Sequence, residues 1–225
     1  MKSVIIIPAL NEEQAIGDVV TSVRCKTDRV IVVDNGSTDR TAERAKAAGA
    51  DVVNAYPLGY GRACLAGVAA AGDAELIIFM DGDGADDPVD LDALVAPILK
   101  RDADFVIGSR ALGVAQDGAL KLPQRWGNAL AAGLMKLFWG GSFSDLGPFR
   151  AIERKAYERL NMQAPTFGWT VEMQVRALKL GVRCKDVPVS YRRRIGTSKI
   201  SGTLIGVILA GSYILGTIFI EAVFG

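Results

Sequence analysis

Leu76-Ile77-Ile78-Phe79-Met80-Asp81-Gly82-Asp83-Gly84 decides the reading of this chain, because an apolar run passes directly into two carboxylates set one residue apart. The run has the apolarity of a buried strand, and an α/β sheet places its ligand crevice at the C-terminal edge of such strands. Glycines let the backbone turn sharply and approach a ligand. Alternate carboxylates offer hard oxygen ligands to Mg²⁺ or Mn²⁺, ions that also hold a diphosphate. An exposed turn or a calcium loop has a similar composition, so the stretch needs support from the rest of the sequence.

On either side, short β-branched runs at Val4 to Ile7, Val30 to Val33, Asp51 to Asn54 and Phe105 to Ile107 join Leu76 to Met80 as predicted strands. Between them, apolar residues three to four apart predict helices over Glu12 to Arg24, Thr38 to Ala48, Gly61 to Ala71 and Asp90 to Leu99. This alternation predicts an α/β fold with a twisted, mostly parallel sheet flanked by helices. After Ser109 the rhythm changes to a loop over Gly113 to Gly118, a helix near Arg125 to Phe138 and a turn-rich Gly140 to Gly147. Helices near Glu153 to Leu160 and Trp169 to Leu180 follow, then a strand over Arg183 to Val189 and a basic loop from Tyr191 to Ser201.

A chain of 225 residues, 50% hydrophobic and 23% charged, is sufficient for one sizeable core. With 26 basic against 25 acidic residues, no nucleic-acid partner is expected, and local clusters must carry any anion binding. The absence of histidine eliminates imidazole bases, Ser-His triads and His-ligated metals. Cys25, Cys64 and Cys184 form no Cys-x-x-Cys pair, which fits a reducing cytoplasm. The apolar run ending at Pro8 is too short for a signal peptide, so a cytoplasmic location is expected.

Two further strand ends carry polar turns, Pro8-Ala9-Leu10-Asn11-Glu12-Glu13 and Asp34-Asn35-Gly36-Ser37-Thr38-Asp39. Ionised carboxylates are pure acceptors, so Asp34 suits the N–H donors of a base and Glu12 a ribose hydroxyl, while Ser37 and Thr38 read as helix caps. Further along come Ile107-Gly108-Ser109-Arg110, Asp145-Leu146-Gly147-Pro148-Phe149-Arg150 and Arg194-Ile195-Gly196-Thr197-Ser198-Lys199. In this order, over roughly residues 3 to 201, the series resembles family 2 glycosyltransferases of GT-A fold. Its nearest likeness is to polyprenyl-phosphate hexose synthases such as dolichol-phosphate mannose synthase.

The resemblance implies that Pro8, Leu10, Glu12, Asp34 and Asp81 line a nucleotide pocket, and that Asp81 and Asp83 hold Mg²⁺ or Mn²⁺ on the diphosphate of a sugar nucleotide. Two departures stand out, Asn35 where a second Asp is common and Ala85 where the polyprenyl-phosphate enzymes often have Gln. Asp86-Asp87-Pro88 offers a third ligand, but reads better as the cap of the next helix. The resemblance also divides the chain into a glycosyltransferase domain over 1–201, with nucleotide-sugar and acceptor halves at 1–110 and 111–201, and a C-terminal apolar helix over 202–225.

Transfer of a hexose from a UDP- or GDP-linked donor to polyprenyl phosphate, with inversion, is the expected reaction. A lipid phosphate is already an anion and needs no general base, whereas a hydroxyl acceptor does. Asp145 and Glu172 are the candidate bases, joining Asp83 and Arg110 in the catalytic set. Arg110, Arg125, Arg193, Ser198 and Lys199 are expected to bind phosphate, and Trp169 to stack on the acceptor. The uncharged run from Thr203 to Ile220 is at the lower limit for a membrane span, and its glycines and the following Glu221 favour peripheral attachment to the inner face of the membrane or a homo-oligomer contact. Hydroxyl-acceptor transfer, a sugar nucleotidyltransferase and a non-catalytic nucleotide-sugar module are the competing readings. The acids of Pro8 to Glu13 count against the nucleotidyltransferase, which needs a basic, glycine-rich loop there.

Overall fold

The computed structural model describes residues 1–119, 122–141, 143–196 and 204–223, with the backbone alone for 122–125 and 204–210. The strands are β1 (Ser3–Ala9), β2 (Arg29–Asp34), β3 (Asp51–Asn54), β4 (Leu76–Phe79), β5 (Phe105–Ser109), β6 (Arg150–Glu153) and β7 (Cys184–Pro188). They form one sheet in the order β3-β2-β1-β4-β6-β5-β7. All neighbours run parallel except β6, which lies antiparallel between β4 and β5.

The helices are α1 (Ile16–Val23), α2 (Thr41–Ala47), α3 (Tyr60–Ala70), α4 (Leu91–Leu99), α5 (Leu122–Trp139), α6 (Arg154–Leu160), α7 (Trp169–Lys179) and α8 (Leu204–Val223). Successive side chains of a strand point to opposite faces, and both faces here are covered. Val4, Ile6, Ile77 and Phe79 therefore enter the core beneath α3, α5 and α7. Ile5, Ile7, Leu76 and Ile78 enter the core beneath α1 and α4.

β6 is the element the periodicity misses. Its four residues open on Arg150, whose guanidinium is fully buried yet donates to the carbonyls of Gly147, Leu146 and Thr170. A buried arginine so satisfied leaves no hydrophobic signature in the sequence. α1 begins at Ile16 rather than Glu12, because Glu12 to Gln14 form a turn whose Glu12 carbonyl accepts from the Ala15 and Ile16 amides.

The C-terminal segment forms a helix, α8, but it packs on α7 and α5, with Ile218 in the same core as Trp169. Among the described residues no helix is long and apolar enough to cross a membrane. Two ion pairs to α7 hold its single acid, Glu221, below the surface.

Candidate active site

The parallel strands β1, β2 and β4 deliver their following turns to one sheet edge, as the topology requires. There they border a cleft of about 260 Å³ lined by Pro8, Leu10, Glu12, Asp81 and Asp83. Tyr60, at the start of α3, lines its wall and sets its hydroxyl 3.4 Å from the Asp81 carboxylate. Phe167 and Arg194 complete the rim.

Asp34 ends β2 as expected, but its carboxylate turns back to accept the Ser37 amide at 2.8 Å, and its neighbour Asn35 lines the cleft instead. Asn35 accepts from the Gly59 amide at 2.7 Å and donates to the Ala55 carbonyl at 2.6 Å, fixing the entry to α3. Ser37 and Thr38 do not cap α2. The Ser37 hydroxyl accepts the Asn11 amide and the Thr38 amide donates to the Asn11 side chain, so the first two loops lock together.

At the acidic corner, Asp83 accepts the Ala85 amide at 2.9 Å across a turn in which Gly84 adopts φ +74°. Glycine tolerates that left-handed conformation at no steric cost. Asp86 is buried behind the pair. One of its oxygens accepts the Asp81 amide at 3.2 Å, and the other is buried with no hydrogen-bond partner. Asp87 caps the turn at Pro88, as the sequence suggests. Burial, then the neighbouring Asp83 and Asp86 charges, push Asp81 well above the usual carboxylate range. Burial and Asp83 raise Asp86 to about 7.

Three crowded acids with an orphaned oxygen fit a corner that receives a cation. Among the described residues no group of three or more Cys, Asp or Glu side chains is arranged to hold a metal ion by itself. Mg²⁺ is commonly bound through one or two carboxylates, its shell completed by substrate phosphates and water.

The basic run divides by side. Arg192 pairs with Asp87, whereas Arg193 turns the other way and donates to the Asp117 carbonyl. Arg194 returns to the corner, 2.9 Å from Glu12 and 3.4 Å from Asp83. Residues 192–194 belong to no strand, so no alternation in the sequence singles out Arg194 over Arg193. Ser198 and Lys199 lie outside the described residues, and Arg125 lies on α5 where the backbone alone is described.

Arg110 and Asp145 form a buried bidentate pair, with Nε and Nη2 each 2.7 Å from a carboxylate oxygen. Asp145 also accepts from the Arg110 amide, from Asn128 Nδ2 at 2.6 Å and from the Leu146 amide. Burial pushes this carboxyl up, but the Arg110 hydrogen bonds and charge outweigh it and hold it below the usual value. The Arg110 guanidinium also lies over the Tyr191 ring, 4.9 Å from its centre. Arg110, Asn128 and Asp145 line a second hollow of about 450 Å³. Asn128, a helix residue one turn past Arg125, carried no motif.

Beyond Asp34 and Arg193, two further expected site residues take other places. Trp169 is fully buried, its ring 4.7 Å from Phe79 and 6.2 Å from Tyr60, so it has no face for an acceptor and is a core residue. Glu172 does not line the cleft. Its carboxylate accepts the Gln163 and Ala164 amides and pairs with Arg176 at 3.0 Å.

The glycosyl transferase family 2 model matches residues 4–160, strand β1 through helix α6. A glycosyltransferase of Mycobacterium tuberculosis is 36% identical over 209 residues, covering 92% of this chain and 93% of the relative. The chain belongs to glycosyltransferase family 2. A dolichyl-phosphate hexose transferase of Haloferax volcanii is 32% identical to this glycosyltransferase over 202 residues, covering 87% and 85% of the two chains. Among solved structures, glucosyl-3-phosphoglycerate synthase from Mycobacterium tuberculosis, crystallised with Mn²⁺, UDP and phosphoglyceric acid, superposes with a TM-score of 0.79 at 23% identity. The superposition covers 100% of the glycosyltransferase and 79% of that chain, and carries the GT-A fold across from β1 to α8.

Proposed function

We propose that this glycosyltransferase moves a hexose from a UDP- or GDP-linked donor onto a lipid-linked phosphate, with inversion at the sugar carbon. The observation that carries the reading is the condition of the acids around the cleft. Asp145 has its acceptor positions filled by five donor contacts, Glu12 is paired with Arg194, Glu172 faces a loop, and Asp86, though raised to about 7, is buried and does not line the cleft. A general base needs a pKa near the working pH and reach to the proton it takes. A phosphate nucleophile needs no base, and the dolichyl-phosphate relative supports that choice of acceptor.

Asp81 and Asp83 would hold a divalent cation, which when bound neutralises the charge gathering on the departing diphosphate. Arg194, already between Glu12 and Asp83, is placed to grip the same diphosphate, and Arg110 is held rigid by Asp145 toward the acceptor hollow. Pro8, Leu10 and Asn35 form the floor under the nucleoside. A screen of UDP- and GDP-sugars with polyprenyl phosphate and Mn²⁺ is expected to give a glycosyl phospholipid with one donor class and none after chelation. Product formed only on hydroxyl acceptors would favour the hydroxyl-acceptor reading instead.

The same reading has the enzyme resting on the inner face of a membrane. Trp126, Leu137 and Phe138 on α5 and Phe219, Ile220 and Val223 on the adjoining α8 are all exposed. Exposed aromatic and aliphatic side chains of this size insert readily at a lipid interface. The double substitution Trp126→Ser with Phe219→Ser is expected to lower the partition coefficient onto phospholipid vesicles by about 10²-fold or more, given ~1.5–3 kcal/mol for each of the two large apolar side chains removed from water. Unchanged flotation would remove these helices as the attachment surface.

A further inference from the structure

On α8, Tyr213, Thr217 and Glu221 fall four residues apart and so lie on one helix face. All three meet the neighbourhood of a single loop, residues 161–168, which runs from α6 into α7. The Tyr213 ring meets Phe167 edge-on with centres 6.3 Å apart, and Phe167 lines the cleft beside Asp81 and Asp83. Thr217 sits so close to Gly168 that a Cβ there would strike its hydroxyl. Glu221 reaches Arg176 Nε at 2.8 Å and Lys179 Nζ at 2.9 Å.

Arg176 then connects α8 to the loop itself. Its guanidinium donates to the carbonyls of Leu160 and Asn161 and pairs with Glu172 at 3.0 Å. Glu172 in turn accepts the Ala164 amide at 2.8 Å and the Gln163 amide at 3.1 Å. On its other side the loop anchors the start of α3, because the Pro165 carbonyl accepts the Arg62 amide at 3.0 Å. Gly59 and Gly61 lie so close beneath the Pro165 and Ala164 carbonyls that no side chain fits at either position. Between these glycines stands Tyr60, which faces Asp81 across the cleft.

We propose that Glu221 is a positioning residue for the donor cleft, acting through Arg176 and Glu172 on the 161–168 loop and thereby on the wall formed by Tyr60 and Phe167. The inference rests on the reading of that cleft as the donor site. Removing the Glu221 charge leaves Arg176 and Lys179 partly buried with one acid fewer to share. Arg176 then draws harder on Glu172, which competes with the loop amides for the same carboxylate oxygens.

The test compares Glu221→Gln, Arg176→Lys and Glu221→Asp with the wild type, all as the full chain. Amide hydrogen exchange at Gln163 and Ala164 is expected to quicken in Glu221→Gln and Arg176→Lys, with strand amides unchanged, and to be largely restored in Glu221→Asp. UDP or GDP binding with Mn²⁺ is expected to weaken by about threefold to thirtyfold in step with the exchange, the range for mutations along a coupling network. The donor KM should rise correspondingly while the acceptor KM holds. A lower melting temperature with unchanged loop exchange and unchanged nucleotide affinity would make Glu221 a stabilising ion pair only and overturn the proposal. Quickened exchange in a protein whose wild type binds neither nucleotide would overturn the donor-site reading, and with it the positioning role.

Discussion

Asp83→Asn is expected to cut glycosyl transfer by about 10²–10³-fold or more, the usual loss when a group stabilising transition-state charge is removed. The fold should survive. The oxygen of Asp83 that accepts the Ala85 amide at 2.9 Å has a counterpart in the asparagine carbonyl, so the turn keeps its hydrogen bond. The other oxygen, 3.4 Å from Arg194, becomes an amide that neither binds a hard cation nor pairs with a guanidinium.

Removing the charge also relieves Asp81 and Asp86, both of which Asp83 pushes toward protonation. The ligand-free variant is therefore expected to melt at or slightly above the wild-type temperature. The stabilisation that Mn²⁺ and nucleotide together confer should disappear, since only binding to the native state raises the melting point. Initial rates and melting curves with and without Mn²⁺ check both halves. A fully active variant would remove Asp83 from the cation site.

Much of this corner is legible in the sequence because its chemistry is local. Apolar β4 followed by Asp-Gly-Asp-Gly needs no tertiary information to be placed at a strand end, and the parallel rhythm then brings Pro8 and Leu10 to the same edge. What sequence hides is direction. Asp34 and Asn35 are adjacent at the end of β2, and only the course of the turn decides that Asn35 faces the cleft while Asp34 binds Ser37. Trp169 opens α7 after a glycine, as a ligand-stacking residue could, but its ring packs in the core against Phe79 of β4.

β6 is hidden for a different reason. A four-residue strand led by an arginine carries no period, and its place between β4 and β5 is fixed by long-range pairing. The C-terminal run is the opposite case. Its composition shows apolarity clearly, but nothing in it reveals that Glu221 has two cations waiting on α7.

Asp145→Asn is expected to destabilise the protein by about 3–5 kcal/mol, the range for breaking a buried ion pair by neutralising one partner. The pair is dry, with Arg110 about 10% and Asp145 0% exposed at the side chain, so solvent does not discount the loss. In a chain of this size that corresponds to a fall in melting temperature of roughly 6–20 °C. The pH dependence identifies the cause. The folded Asp145 carboxyl lies below its ordinary 3.8, so its contribution is fully present above that value and is lost as the pH falls through the lower folded value. The stability gap between wild type and variant should hold from neutral pH to about pH 5 and narrow below pH 4.

A residue serving as the base would behave differently. Its replacement would leave the urea midpoint nearly unchanged and abolish an acidic limb in the pH dependence of kcat/KM. With Asp145 instead serving to aim Arg110, transfer falls because the guanidinium loses its anchor, and the shape of the pH profile is kept. A stable Asp145→Asn whose residual activity has lost the acidic limb would make Asp145 the base and shift the acceptor from a phosphate to a hydroxyl.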